Sequence, residues 1–187
     1  MLIQIPLACG ATSFSPIRVV TTTKPGYPTP ADVCGYLGDM VEHSPIELTP
    51  ENEFRFDPEV LHGSNLAMIN YPHNPSGQIM ESEWLNDVCA FCQTDKVRLF
   101  NDGAYTKLAH PRHLPLADAA LSYPNLSWAE AFSASKLGNL TGWRIGAIVG
   151  SPDFVGDIAR IKGNIDSGFF APAAAGSLTC FLCRHAP

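Results

Sequence analysis

Charge is in short supply in this sequence, and basic charge most of all. Asp, Glu, Lys and Arg make up 16% of the 187 residues, and 18 acidic against 12 basic side chains leave a formal charge of −6. A surface that tracks phosphates needs a basic excess, so nucleic acid is excluded as a main partner. No apolar run approaches the ~20 residues that a membrane helix requires, so no membrane association is expected. The opening MLIQIPLACGA has no Lys or Arg ahead of its apolar stretch. It therefore lacks the basic lead of a secretory signal, and a cytoplasmic protein is expected. Internal repeats and low-complexity linkers are missing too. With 45% hydrophobic residues and this length, a single domain around one sizeable core is expected.

Six cysteines fit a reducing compartment as buried thiols. Two pairs, Cys89/Cys92 in DVCAFCQT and Cys180/Cys183 in LTCFLCRH, have a Cys-x-x-Cys spacing that invites a metal reading. The intervening residues, Ala-Phe and Phe-Leu, are not those of a metal-binding turn, and both surroundings read as helix. None of the six histidines completes a ligand set by spacing. Buried thiols and no metal site are the expectation.

Along the chain, short apolar runs alternate with amphipathic segments. PIRVVTTT (16–23), LAMINY (66–71), KVRLFND (96–102), WAEAFSAS (128–135) and WRIGAIVG (143–150) read as strands. ESEWLNDVCAFCQT (81–94) carries its apolar residues at helical spacing. SPDFVGDIARIK opens a helix with Ser151 as N-cap and Pro152 in the first turn. Residues 110–127 read as exposed loop with one short helix, and Trp84 and Trp143 as core. Strands alternating with helices imply an α/β fold of three layers, a mostly parallel sheet with helices on both faces. In such sheets ligands collect at the carboxyl ends of the strands.

Those ends carry Tyr27 in KPGYP, Asn74 in PHNPSG, Asp102 with Tyr105 in NDGAY, and Ser133, Lys136 and Arg144 in SASKLGNLTGWRIG. Taken singly, each has an ordinary reading: a turn cap for Asp102 or Asn74, a surface charge for Lys136 or Arg144, a core ring for Tyr105. Taken together they offer an amine that can condense with an aldehyde, a carboxylate that can keep a pyridine nitrogen protonated, and an arginine with a hydroxyl suited to a phosphate ester. That combination describes a site for pyridoxal 5′-phosphate.

The three motifs NYPHNPSG, NDGAY and SASKLGNLTGWRIG, in this order, resemble the signatures of the fold-type I, class I/II aminotransferases. The resemblance implies that Lys136 is the Schiff-base lysine and proton shuttle, and that Asp102 pairs with the pyridinium nitrogen. It places Tyr105 and Asn74 on the cofactor's ring oxygen, Ser133 and Arg144 on its phosphate, and Tyr27 against its ring. NIDSGFF (164–170) resembles a segment of the branch holding diaminopimelate and some aspartate aminotransferases. Amino acid and 2-oxo acid substrates, and a homodimer, are the partners it implies.

The resemblance covers residues 1 to 180, which correspond to the middle of the family's large domain. Residues 1–187 are therefore expected to form a single incomplete, truncated cofactor-binding large domain. The N-terminal segment and the small C-terminal domain would lie outside it, with apolar surface exposed in consequence. Transamination by this piece alone is expected to be impaired. A lyase or synthase of the same fold, or a non-catalytic binding or dimer-forming remnant, are the other readings.

Overall fold

In a computed structural model, residues 2–183 are described, with side chains through Thr179. Six strands form one sheet: β1 (Ile17–Lys24), β2 (Val41–Glu47), β3 (Leu66–Ile69), β4 (Arg98–Asp102), β5 (Trp128–Ser133) and β6 (Gly146–Gly150). Their order across the sheet is β2-β1-β3-β4-β5-β6, and β1 to β5 run parallel. Strand β6 is antiparallel to β5, with Ser133 opposite Gly146. The chain turns back within residues 134–145 and never crosses a face of the sheet, as a parallel return would require. The start of β6 therefore lies at the same end as the exits of the parallel strands.

Seven α-helices accompany the sheet among the described residues: α1 (Gln4–Ala8), α2 (Thr29–Leu37), α3 (Ser82–Asp95), α4 (Leu116–Ala120), α5 (Ala134–Leu137), α6 (Pro152–Ile165) and α7 (Ala171–Cys183). Strand β3 is buried at all four positions, because helices cover both faces and no polar alternation is needed. One core holds Ala67, Ile69 and Leu99 against Leu85, Val88 and Cys89 of α3 and Leu116 of α4. The opposite core holds Leu66, Met68 and Phe100 against Ile5 of α1 and Phe154 and Ile158 of α6. Helix α3 buries Leu85, Val88, Cys89 and Cys92, a stripe at spacings of three and four.

The two thiols of α3 are buried as expected, and no group of His, Cys, Asp and Glu among the described residues could hold a metal. The side chains of Cys180 and Cys183 lie outside the described residues. No helix among the described residues is long and apolar enough to cross a membrane.

Three local expectations need correction, and α2 and β2 are not among the elements expected from the sequence. VEHSPIE shows no strand pattern because it is an edge strand: only Ile46 in it is buried, and an edge tolerates Pro45. Ser151 occupies the N-cap position of α6, but its hydroxyl does not cap. It bonds instead to the backbone of Trp128, tying α6 to β5. The stretch 110–127 is less exposed than its composition suggests, since Leu116, Ala119, Ala120 and Leu126 enter the core. Trp143 is 46% exposed and lies against Gly176 of α7, where an added Cβ would stand 2.6 Å from the indole.

Candidate active site

The polar residues singled out in the sequence follow β1, β3, β4 and β5 or precede β6, so all of them lie at one end of the sheet. Strands β3 and β4 stay paired as far as Ile69 and Asn101, and then the chains part. Beyond the split, Asn70 and Asn101 take over the bonding. The side chain of Asn101 donates to the Tyr71 carbonyl at 2.8 Å and accepts from the Tyr71 N–H at 2.9 Å. The side chain of Asn70 donates to the Asp102 carbonyl at 2.7 Å and accepts from the Asn74 N–H at 3.1 Å.

The Asp102 side chain is half-buried at the end of β4. Burial pushes its carboxyl above the usual carboxylate range, and the Ala104 N–H pulls it partly back. Among the described residues no cationic side chain pairs with it. The turn that follows is tight. A Cβ on Gly103 would lie 2.7 Å from Thr106 Oγ1 and 2.9 Å from Glu130 Oε1, so only glycine fits without a shift. That turn delivers Tyr105, and the Lys136 amine stands 5.7 Å from the centre of its ring. Lys136 is exposed, on the short helix α5 that begins immediately after β5. It makes no ion pair among the described residues.

Asn74 and Tyr105 line a cleft of about 450 Å³, together with His73, Ile79, Leu108 and His110. Burial lowers the pKa of His73, whose ring bonds Ser76 Oγ at 2.6 Å and the Pro25 carbonyl at 3.2 Å. This ring joins the β3 loop to the turn after β1. In that turn, a Cβ on Gly26 would collide with the Thr22 carbonyl, so the KPGYP chain folds back closely on β1. Tyr27 emerges from it 40% exposed.

Ser133 ends β5 opposite the first residue of β6, and its hydroxyl makes no bond to the N–H groups of α5. Arg144 is exposed in a left-handed conformation, φ 53°, and donates to the Thr141 carbonyl at 3.1 Å. The Ala134 N–H to Ile145 carbonyl bond, 3.1 Å, carries the β5–β6 pairing up to this arginine. Thus Asn74 and Tyr105 share one cleft, the Lys136 amine stands over the Tyr105 ring, and Asp102 opens the same turn as Tyr105. Ser133 ends β5 and Arg144 lies two residues ahead of β6, its strand neighbour, while Tyr27 lies on the turn after β1.

Two residues of this region were not read from the sequence: Asn70 and Glu130. Their signal was nonetheless present. Each is a polar residue inside an otherwise apolar strand run, which must find a partner if buried. Glu130 is 0% exposed and accepts from Asn101 Nδ2 at 2.8 Å, Leu116 N–H at 3.3 Å and Ala117 N–H at 3.0 Å.

Comparison with known proteins adds a sequence and a fold likeness. The family model described as aminotransferase class I and II matches residues 4–181. The LL-diaminopimelate aminotransferase of Syntrophobacter fumaroxidans is 34% identical over 151 residues, which cover 76% of this chain and 39% of that protein. LL-diaminopimelate aminotransferase 2 of Trichormus variabilis is 30% identical over 162 residues, 84% of this chain and 41% of the relative. The chain therefore spans less than half the length of these curated relatives. Among solved structures, N-succinyldiaminopimelate aminotransferase from Mycobacterium tuberculosis superimposes with a TM-score of 0.77 at 24% identity. The match covers 96% of this chain and 48% of that one, a likeness of fold.

Proposed function

Because this chain belongs to the class I and II aminotransferases, we propose that it forms the pyridoxal 5′-phosphate-binding core of an enzyme that moves an amino group between an amino acid and a 2-oxo acid. The observation that carries this reading is the Lys136 amine over the ring of Tyr105, whose turn opens with a sheltered Asp102 carboxylate that has no cationic partner among the described residues. A sheltered acid without a cation is costly unless something pairs with it. A protonated ring nitrogen would supply that pair, so the donor set fits the cofactor.

Bound pyridoxal 5′-phosphate would supply an aldehyde for amines and a pyridinium ring that draws electrons from a substrate carbon. Asp102 would hold the proton at the ring nitrogen, its charge favoured once a cation faces it. Asn74 and the Tyr105 hydroxyl would bind and orient the ring oxygen from the cleft they line. Ser133 and Arg144 would bind the phosphate, the arginine with its planar fork. Tyr27 would cover the ring and exclude water. The Lys136 amine, exposed and with no carboxylate partner among the described residues, would form the covalent link to the cofactor. Once released it would carry the proton at the substrate carbon.

Two relatives are named for diaminopimelate, which favours a substrate of the diaminopimelate or aspartate type. A cytoplasmic homodimer is the assembly that accompanies this reading. Trp143 ahead of β6, Val149 in it, and Phe169, Phe170 and Leu178 after it are exposed large apolar side chains of the kind a partner copy would cover.

Titration of the protein with pyridoxal 5′-phosphate tests the proposal. An absorbance band at the violet edge of the visible is expected. Borohydride should then fix the cofactor on the Lys136 peptide, and Lys136→Ala should abolish both signals. No band at saturating cofactor would refute the reading. Release of ammonia, rather than amine transfer to 2-oxoglutarate, would replace it with a lyase of the same fold.

A further inference from the structure

Asn70 sits at the point where β3 leaves the sheet, 4% exposed, between two of the residues assigned to the cofactor. The backbone beyond it cannot continue the ladder, because Pro72 and Pro75 have no N–H to give. Its side-chain amide fills the place of the missing peptide group. The Nδ2 donates to the Asp102 carbonyl at 2.7 Å, and the Oδ1 accepts from the Asn74 N–H at 3.1 Å. Its own N–H is held by Thr22 Oγ1 at 2.9 Å, which anchors the clamp to β1. Three strands are thereby tied at one residue. Asn101 makes a similar two-bond bridge, but to Tyr71, and it reaches neither Asp102 nor Asn74.

We propose that Asn70 is a positioning residue that sets the separation between Asp102 and Asn74, and so holds the ring-nitrogen contact and the ring-oxygen contact in register for one cofactor ring. The inference rests on the proposed cofactor site. It follows from the geometry that one side chain spans both backbones and is buried while doing so. Without that bridge, the hydrogen bonds that join the Asn74 loop to the end of β4 among the described residues are those between Tyr71 and Asn101. The two cofactor contacts would then drift independently, and a rigid ring cannot satisfy two donors that move apart.

The variants Asn70→Asp and Asn70→Ala test this. Asn70→Asp keeps the volume and the acceptor for Asn74, but loses the donor to Asp102 and sets an oxygen against that carbonyl. Both variants should weaken cofactor binding, read by absorbance titration, by about tenfold or more, the worth of one well-made hydrogen bond to a fixed group. The ratio of the bound cofactor's absorbance bands at fixed pH should change as well. Leu85→Ala, in the core on α3, is the structural control. It should lower the melting temperature yet leave affinity and band ratio as in the unmodified protein at temperatures well below melting. Unchanged affinity and band ratio in Asn70→Asp would overturn the proposal, and so would an equal change in Leu85→Ala. If Asn70→Ala does not fold, Asn70→Asp carries the test. A cofactor band in the unmodified protein with no response at position 70 sinks only this inference, whereas no band at all sinks the cofactor reading and this inference with it.

Discussion

Replacing Glu130 by alanine should be among the most damaging single changes in the protein. This carboxylate is fully buried, and it accepts from Asn101 Nδ2 and from the first two N–H groups of α4, those of Leu116 and Ala117. Helix α4 has no side-chain cap of its own, so Glu130 serves that purpose from the neighbouring strand. Truncation would leave two buried donors and one part-buried donor, the Ala117 N–H, without this partner, at about 1–3 kcal/mol each. Water admitted to the vacated space would recover part of this, and a net loss of about 3–6 kcal/mol is expected. A protein of this size has roughly 5–15 kcal/mol in total, so the variant should be close to the edge of folding. Its melting temperature should fall by roughly 6–24 °C. Urea unfolding followed by circular dichroism gives the difference directly, provided the slope with denaturant is unchanged. A loss below about 1 kcal/mol would refute the view that Glu130 is the anchor of β4, β5 and α4. The same carboxyl has its pKa raised by burial, with its N–H donors pulling the other way. The folded state therefore holds the proton more tightly than the unfolded chain. Its contribution to stability is complete below the ordinary carboxylate range and declines as pH rises through the raised value.

Gly103→Ala should destabilise by about 1–3 kcal/mol in the same urea assay, because the new methyl meets Thr106 Oγ1 and Glu130 Oε1 at under 3.0 Å. A neutral result would mean the turn after Asp102 has slack. Cys89 should resist alkylation in the folded protein at pH 8 and react only on unfolding, since burial pushes its thiol to about 12. Stoichiometric labelling of Cys89 by iodoacetamide under native conditions contradicts this. His113, whose Nδ1 accepts from the Met80 N–H, is held by burial at a pKa of about 4. The unfolded chain binds that proton first, so this residue's share of stability is present above about 6.5 and is lost as pH falls toward 4. A histidine proton resonance from residue 113 that titrates near 6.5 in the folded protein would show the burial to be wrong.

Much of the fold was legible because burial on both faces leaves an unmistakable trace. LAMI is an apolar run too short for a helix, and ESEWLNDVCAFCQT carries a stripe that only a helix can bury. VEHSPIE was not legible, since an edge strand buries one residue and has no pattern to show. Trp143 was misread for a related reason: a large ring is core by default, but this one faces α7 at the margin of the sheet. Within the candidate site, the motif residues could be picked out one by one. The partners of the amides and the carboxylate behind them could not, because a hydrogen-bond partner is set by the register of neighbouring strands.

Sequence alone determined which residues are available: one lysine among small neighbours, an aspartate before a glycine, an asparagine between prolines. Such features follow from side-chain chemistry and from conformational limits that act over a few residues. Tertiary structure decided which of them meet. The order β2-β1-β3-β4-β5-β6 and the reversal of β6 bring five chain segments to one end of the sheet. Strand order and direction are long-range properties, settled by the simultaneous burial of two cores, and no local stretch of sequence carries that information by itself.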